Sequence, residues 1–282
     1  MDLRQLTLLA LQVSIVGSVF GYGLRTTVAE IGYLVRRPGL LARSLLAMWV
    51  IMPIIAVALV RFFAFRHVTE VALVAVALSP VPPLLPKKEI KAGGVAAYGL
   101  GLMAWMALLA IVAIPLAMVL LARFFEQPLG IAPAAVARIA LITVLVPLAG
   151  GMIVRASSPA TAERIAPAVS RFAQLLLALG AIALLAGVWP EVWAALGDGT
   201  VVAIVVLVIV GFAVGHLLGG PEPEQSVVLG FSSACRHPAI ALTLASTNFP
   251  DEHFGGTILL YLIVNVLVGI PYLRWNKHRA TA

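Results

Sequence analysis

Nine apolar runs, each close to the roughly 20 residues a helix needs to cross a bilayer, follow one another along this chain with only short loops between them. They extend from about Gln5 to Leu24, Leu40 to Val60, Val68 to Ala97, Tyr98 to Phe124, Ile131 to Val154, Ala162 to Val188, Gly199 to Leu218, Glu224 to Phe249 and Phe254 to Trp275. With 62% hydrophobic and 11% charged residues, the 282-residue sequence is not that of a soluble domain. Lipid offers backbone groups no hydrogen-bond partner, so runs of this length must be helical. The expected class is an all-α polytopic membrane protein with the lipid bilayer as its surroundings.

A net charge of +7 would suggest nucleic acid as a partner in a soluble chain, but the basic residues here lie between apolar runs, where they set topology. Arg25, Arg36, Arg37, Lys91, Arg155, Arg164, Arg171, Arg274, Lys277 and Arg279 fall on one face. Arg4, Arg61, Arg66 and Arg123 fall on the other, diluted by Glu126, Glu191, Asp198, Asp251 and Glu252. The C-terminus is expected in the cytoplasm and the N-terminus outside, in a cell (inner) membrane. The acidic loop Gly219 to Glu224 runs against this count, but acidic residues weigh little in the rule. The first run lacks a basic leader and a cleavage site, so it is expected to stay in the mature chain. A single cysteine excludes an internal disulfide and a thiolate metal cluster.

Two runs cannot be continuous helices. The third contains Ser79-Pro80-Val81-Pro82-Pro83-Leu84-Leu85-Pro86, four prolines in eight positions, followed at once by Lys87, Lys88, Glu89 and Lys91. The eighth carries Arg236 and His237 directly before Pro238; proline cannot donate a backbone hydrogen bond and disfavours helix at the residue before it. Ionisable groups at membrane depth normally face a partner or a water-filled cavity. Two interrupted spans at corresponding places in two halves point to a midplane site between inverted repeats. Pairing spans one to four with six to nine matches the breaks, dividing the single transporter domain into repeats over 1–124, which lacks its first helix, and 131–275.

Val19-Phe-Gly-Tyr-Gly-Leu24, then Arg36-Arg37-Pro38, then Ile51-Met-Pro53 resemble the opening signature of the bile acid:sodium symporter family. The proline break falls where that family has its Pro-Gly-Gly-rich first crossover, Arg236-His237 falls on the Gln-Asn-type pair of the second, and Asn265 matches an asparagine lining the substrate cavity. The resemblance implies a core of crossing broken helices, a panel beside it, and transport of an organic anion, usually with sodium. The family holds sodium with oxygens that include a Ser-Asn after the first crossover and a glutamate four residues before the second. At those positions this chain has Leu85, Pro86 and Ser232, with Arg236 in place of the glutamine, and no sodium ligand is assigned to any of them. The neighbouring fourth span is apolar over Leu102 to Leu109 apart from Trp105. A guanidinium cannot ligate sodium and repels it, which speaks against sodium coupling; no cofactor and no metal site are expected.

Arg236 has two readings: a fixed cation in the place of sodium that clamps a carboxylate, or one that props the broken helix by binding its carbonyls. His237 either satisfies the break or serves as a proton-coupling group. Lys87 and Lys88, with Lys91, either anchor the span or attract an anion. Thr243, Ser246 and Thr247 share one helix face and either pack or line a cavity. Asn265 is expected at the cavity, and Ser79, Pro82, Ser232 and Ser233, which flank the breaks, complete the expected substrate-binding set. Cys235 reads as a small hydrophobe rather than a metalloid ligand, and Tyr22, Trp49, Trp105, Trp189, Trp193 and Trp275 as interface or packing aromatics. Catalysis is not expected, because no nucleophile has a base beside it in any known pattern. The function that follows is secondary transport of a small organic anion by alternating access, with one chain as the working unit. A proton-coupled or uncoupled carrier of the same fold is the first alternative, an intramembrane sensor or enzyme the second.

Overall fold

A computed structural model describes residues 3–126 and 128–281, with side chains described over 5–126 and 128–276. The side chains of Arg4, Lys277 and Arg279, counted in the charge asymmetry, therefore lie outside the described residues. The helices run in the order α1 (Leu3–Gly23), α2 (Val28–Ile31), α3 (Pro38–Leu45), α4 (Met52–Phe62), α5 (His67–Leu78), α6 (Leu85–Lys91) and α7 (Ala96–Phe125). They continue as α8 (Pro133–Ala140), α9 (Val146–Ser157), α10 (Pro159–Ala194), α11 (Thr200–Leu218), α12 (Pro223–Ala234), α13 (Pro238–Asn248) and α14 (Gly255–Thr281). Single π-helical turns, Leu46–Ile51 and Leu141–Leu145, join α3 to α4 and α8 to α9. Among the described residues there is no strand.

Among the described residues, eight helical stretches are long and apolar enough to cross a membrane, Pro223–Asn248 being the stretch that holds α12 and α13. The protein is a multi-pass membrane protein. The remaining run is the third, whose two pieces α5 and α6 are each too short to span alone. Several helices outrun the apolar windows: the sixth reaches from Pro159 to Ala194 instead of Ala162 to Val188, and the fifth, which starts at Pro133, continues past Val154 to Ser157. A proline at the first helical position needs no donor, and flanking Glu, Arg and Ala continue a helix beyond the last apolar residue. Pro86 likewise belongs to the first turn of α6 rather than to the break.

The helices form two packed groups. In one, α1 lies against α9 and α10, and the Ser14 hydroxyl donates to the Ala173 carbonyl at 2.7 Å. In the other, α5 packs on α4 and α13, α6 on α7 and α12, and α11 on α12 and α14. Contacts of α10 with α14 and of α7 with α8 join the groups. One close seam is α11 on α12: a Cβ added to Gly211, Gly215 or Gly219 would collide with backbone atoms of Ser233 and Ala234, of Leu229 and Gly230, or of Gln225 and Ser226. Small residues let membrane helices approach this closely.

Candidate functional site

Helix α5 stops at Leu78 and α6 starts at Leu85; α12 stops at Ala234 and α13 starts at Pro238. The two interruptions meet, because the His237 N–H donates to the Pro80 carbonyl at 2.9 Å. Which backbone groups need partners there follows from the prolines. In a continuous helix the Ser79 carbonyl would accept from residue 83, a proline, and the Ala234 carbonyl from residue 238, also a proline. The Ser233 carbonyl would accept from His237, whose N–H has gone to Pro80. A fourth carbonyl is freed in the π turn: the Met52 N–H reaches back to Ala47, and Pro53 has no N–H to offer Met48.

Arg236 collects three of these four. Its Nε donates to Ser233 at 3.2 Å, one Nη to Ser79 at 3.1 Å and the other to Met48 at 2.8 Å. The guanidinium is thus a cross-brace between the two breaks and the second span, and with 2% of its surface exposed it is turned to the backbone rather than to a cavity. The fourth carbonyl, that of Ala234, accepts from the Tyr261 hydroxyl at 2.5 Å and the Asn265 amide at 2.6 Å. Asn265 also accepts from the Cys235 thiol at 2.7 Å, so it serves the broken backbone and is buried.

His237 caps α13: Nδ1 accepts from the Ile240 N–H at 3.4 Å, while Nε2 is buried with no hydrogen-bond partner. In that role Nδ1 carries no proton. Ser79 caps the end of α5, its hydroxyl donating to Val76 at 2.8 Å. The Ser233 hydroxyl is buried without a partner. Pro82 is half-buried and its carbonyl accepts from Leu85. Lys87 is half-buried beside Tyr22 of α1, whose hydroxyl meets the Lys87 backbone. Lys88 lies 5.0 Å from the centre of the Phe231 ring, a cation–π distance. Thr243 returns its hydroxyl to the Ala239 carbonyl at 2.8 Å. Ala239, Leu242, Ser246 and Thr247 are exposed and Thr243 partly so, which gives α13 one open face carrying three hydroxyls.

Two features were not among the expected site residues. The Met48 carbonyl is one: Pro53 by itself points four residues back to Trp49, and only the π turn shifts the loss to Met48. The other is Glu89, 1% exposed, which accepts from the Ser232 hydroxyl at 2.6 Å; the charge was visible beside the proline break, but its partner is 143 residues away. An apolar cavity runs along α5 from His67 to Leu78 against the later turns of α7 and α13, walled by Val74, Leu78, Met118, Leu121 and Leu244, with Asn248 also contributing. Among the described residues no group of His, Cys, Asp and Glu is arranged to hold a metal ion.

A family model described as the Sodium Bile acid symporter family matches residues 13–194, more than half of the chain. The chain belongs to that family, a family of transporters. The matched stretch includes the first break and ends before α11, so the second break with Arg236 lies beyond it. A search of curated proteins gave no match.

Proposed function

We propose that this protein is a secondary transporter of a small organic anion, working by alternating access without sodium. The core group of helices, α3 to α7 and α11 to α14, rocks against the panel formed by α1 and α8 to α10. One chain is the working unit, in a cell membrane, with the basic loops and the C-terminus in the cytoplasm. The repeats over 1–124 and 131–275 bring their interrupted helices together so that half-helix N-termini face a carboxylate. The open side of the crossing offers Pro82, Lys87, Pro238, Ala239 and Thr243 to the anion. Arg236 stands behind that surface as a fixed positive charge, acting through its field rather than by contact.

The observation that carries this reading is the Arg236 cross-brace. Carbonyl oxygens are what a hard monovalent cation would use, and at this crossing the Ser79, Ser233 and Met48 carbonyls already accept from a guanidinium. The residues therefore do not fit a sodium ion in that place. Arginine stays charged at every physiological pH, so the brace holds the breaks together permanently and cannot be carried in and out. The test is a thermal-shift screen of small carboxylates on the purified protein, followed by uptake of a hit into proteoliposomes with sodium replaced by potassium. Equal uptake in both salts is expected; a saturable sodium requirement would overturn the reading.

A further inference from the structure

Glu89 is a carboxyl inside a membrane protein with only one of its two oxygens hydrogen-bonded. Oε1 accepts from Ser232 at 2.6 Å, and Oε2 is buried with no hydrogen-bond partner. The surroundings are shaped to this group. Gly99, on the first turns of α7, has no Cβ where one would run into Oε2. The Gly94 N–H holds the Glu89 backbone carbonyl at 2.9 Å, and Val228 of α12 covers the cleft at Gly94 and Gly99. The carboxyl thus bridges α6, which follows the first break, to α12, which precedes the second.

An ionised carboxylate can only accept hydrogen bonds, whereas a protonated one also has an O–H. A buried polar oxygen with no donor is costly to keep, and a buried charge with no partner more so. Around Glu89 no cation is paired to it: among the described residues the salt bridges are Arg66 with Asp198 and His67 with Glu252. Lys87, Lys88 and Lys91 share its helix, and Lys88 is turned over the Phe231 ring. From the other elements the titratable side chains facing it are Tyr98 of α7, Tyr22 of α1 and Cys235 at the second break. The Tyr98 hydroxyl is engaged with Ser44 at 2.8 Å, and Cys235 with Asn265. Lys91, at the end of the same short helix, is exposed.

We propose that Glu89 and Ser232 form a proton-binding site at the crossing of the two broken helices. A hydronium ion gives up a proton to Oε2, breaking one of its O–H bonds and leaving water, while Oε1 keeps the Ser232 hydrogen bond; the reverse transfer to water re-forms hydronium and restores the carboxylate. Because the site joins α6 to α12, its occupancy is sensed by both halves of the crossing, which would make it the coupling site of the carrier. This rests on the reading of the chain as a sodium-independent transporter, but the site itself is testable without any substrate.

The experiment is an infrared titration of the purified full-length protein in lipid nanodiscs, read at the C=O stretch of protonated carboxyls and at the carboxylate stretches. In the unaltered protein one protonated-carboxyl band is expected to fall as pH rises and to be lost in Glu89→Gln. In Ser232→Ala the same band should persist at a higher frequency, because its carbonyl has lost a hydrogen bond. A Glu89→Gln spectrum that titrates like the unaltered protein, or a Ser232→Ala band that does not move, would overturn the site. So would a Glu89 signal that responds to exchanging potassium for sodium at fixed pH, which would make a metal cation the ligand. Anion uptake is not involved in this readout, so failure here leaves the transport reading standing, and failure of uptake leaves this one.

Discussion

His237 and Pro80 are each other's substitute helical partners: the histidine N–H abandons Ser233 and crosses 157 positions to the Pro80 carbonyl at 2.9 Å. A break in one span is thereby satisfied by the break in the other, and neither would be stable without its counterpart. Lipid cannot supply the missing donors and acceptors, so the two interruptions stand or fall together.

Arg236→Gln should show the size of that dependence. It leaves the Met48, Ser79 and Ser233 carbonyls without the donors they have now, and the loss should be about 3–5 kcal/mol, as for breaking a buried charged network. Pro53→Ala places an N–H within reach of the Met48 carbonyl, so in the Arg236→Gln background it should recover about 1 kcal/mol. Chemical unfolding in detergent measures both; strictly additive effects would show that Pro53 and Arg236 do not act on one carbonyl.

Gly99→Ala should cost about 1–3 kcal/mol by overpacking, since the new methyl meets the Glu89 carboxyl. In a Glu89→Ser background most of that cost should disappear. An undiminished cost would place the clash elsewhere.

Tyr261→Phe and Asn265→Ala each leave one donor on the Ala234 carbonyl. Each should cost about 1 kcal/mol, and the double variant should exceed their sum, because only then is the carbonyl bare. The melting temperatures of the four proteins close the cycle.

Cysteines introduced at Asp251 and Glu222 should react from opposite sides of the membrane, Asp251 from outside. Both positions are exposed, while the native Cys235 is buried and gives a quiet background. Reaction of both with the same impermeant reagent from one side would reject the proposed topology.

What the sequence discloses here is local and what it conceals is distant. Proline names the carbonyl that will lose its partner, Pro83 for Ser79 and Pro238 for Ala234, whereas Pro53 names Trp49 and only the π turn moves the loss to Met48. It does not name the donor that comes instead, since Arg236 reaches Met48 across 188 positions. The apolar runs were legible because each is continuous, whereas helix ends such as Pro159 and Ala194 depend on polar residues that hydropathy does not register. Glu89 sits among three lysines in sequence and reads as part of a solvated charge run; only the fold turns it inward while Lys91 stays exposed. Asn265 looks like a cavity residue by type, and its place at the Ala234 carbonyl becomes visible only with α14 laid beside the second break.

At Gly211, Gly215 and Gly219 the nearest atoms of α12 are backbone rather than side chain. A joint of that kind cannot slide in small steps, as interfaces of interleaved leucines can. It holds one register or comes apart. Helices α11 and α12 must then travel as a single lever, and the amide hydrogens from Val227 to Ala234 should exchange with solvent only when that lever detaches. On the alternating-access reading proposed above, the flexing falls on the contacts that join the two helix groups, α10 with α14 and α7 with α8.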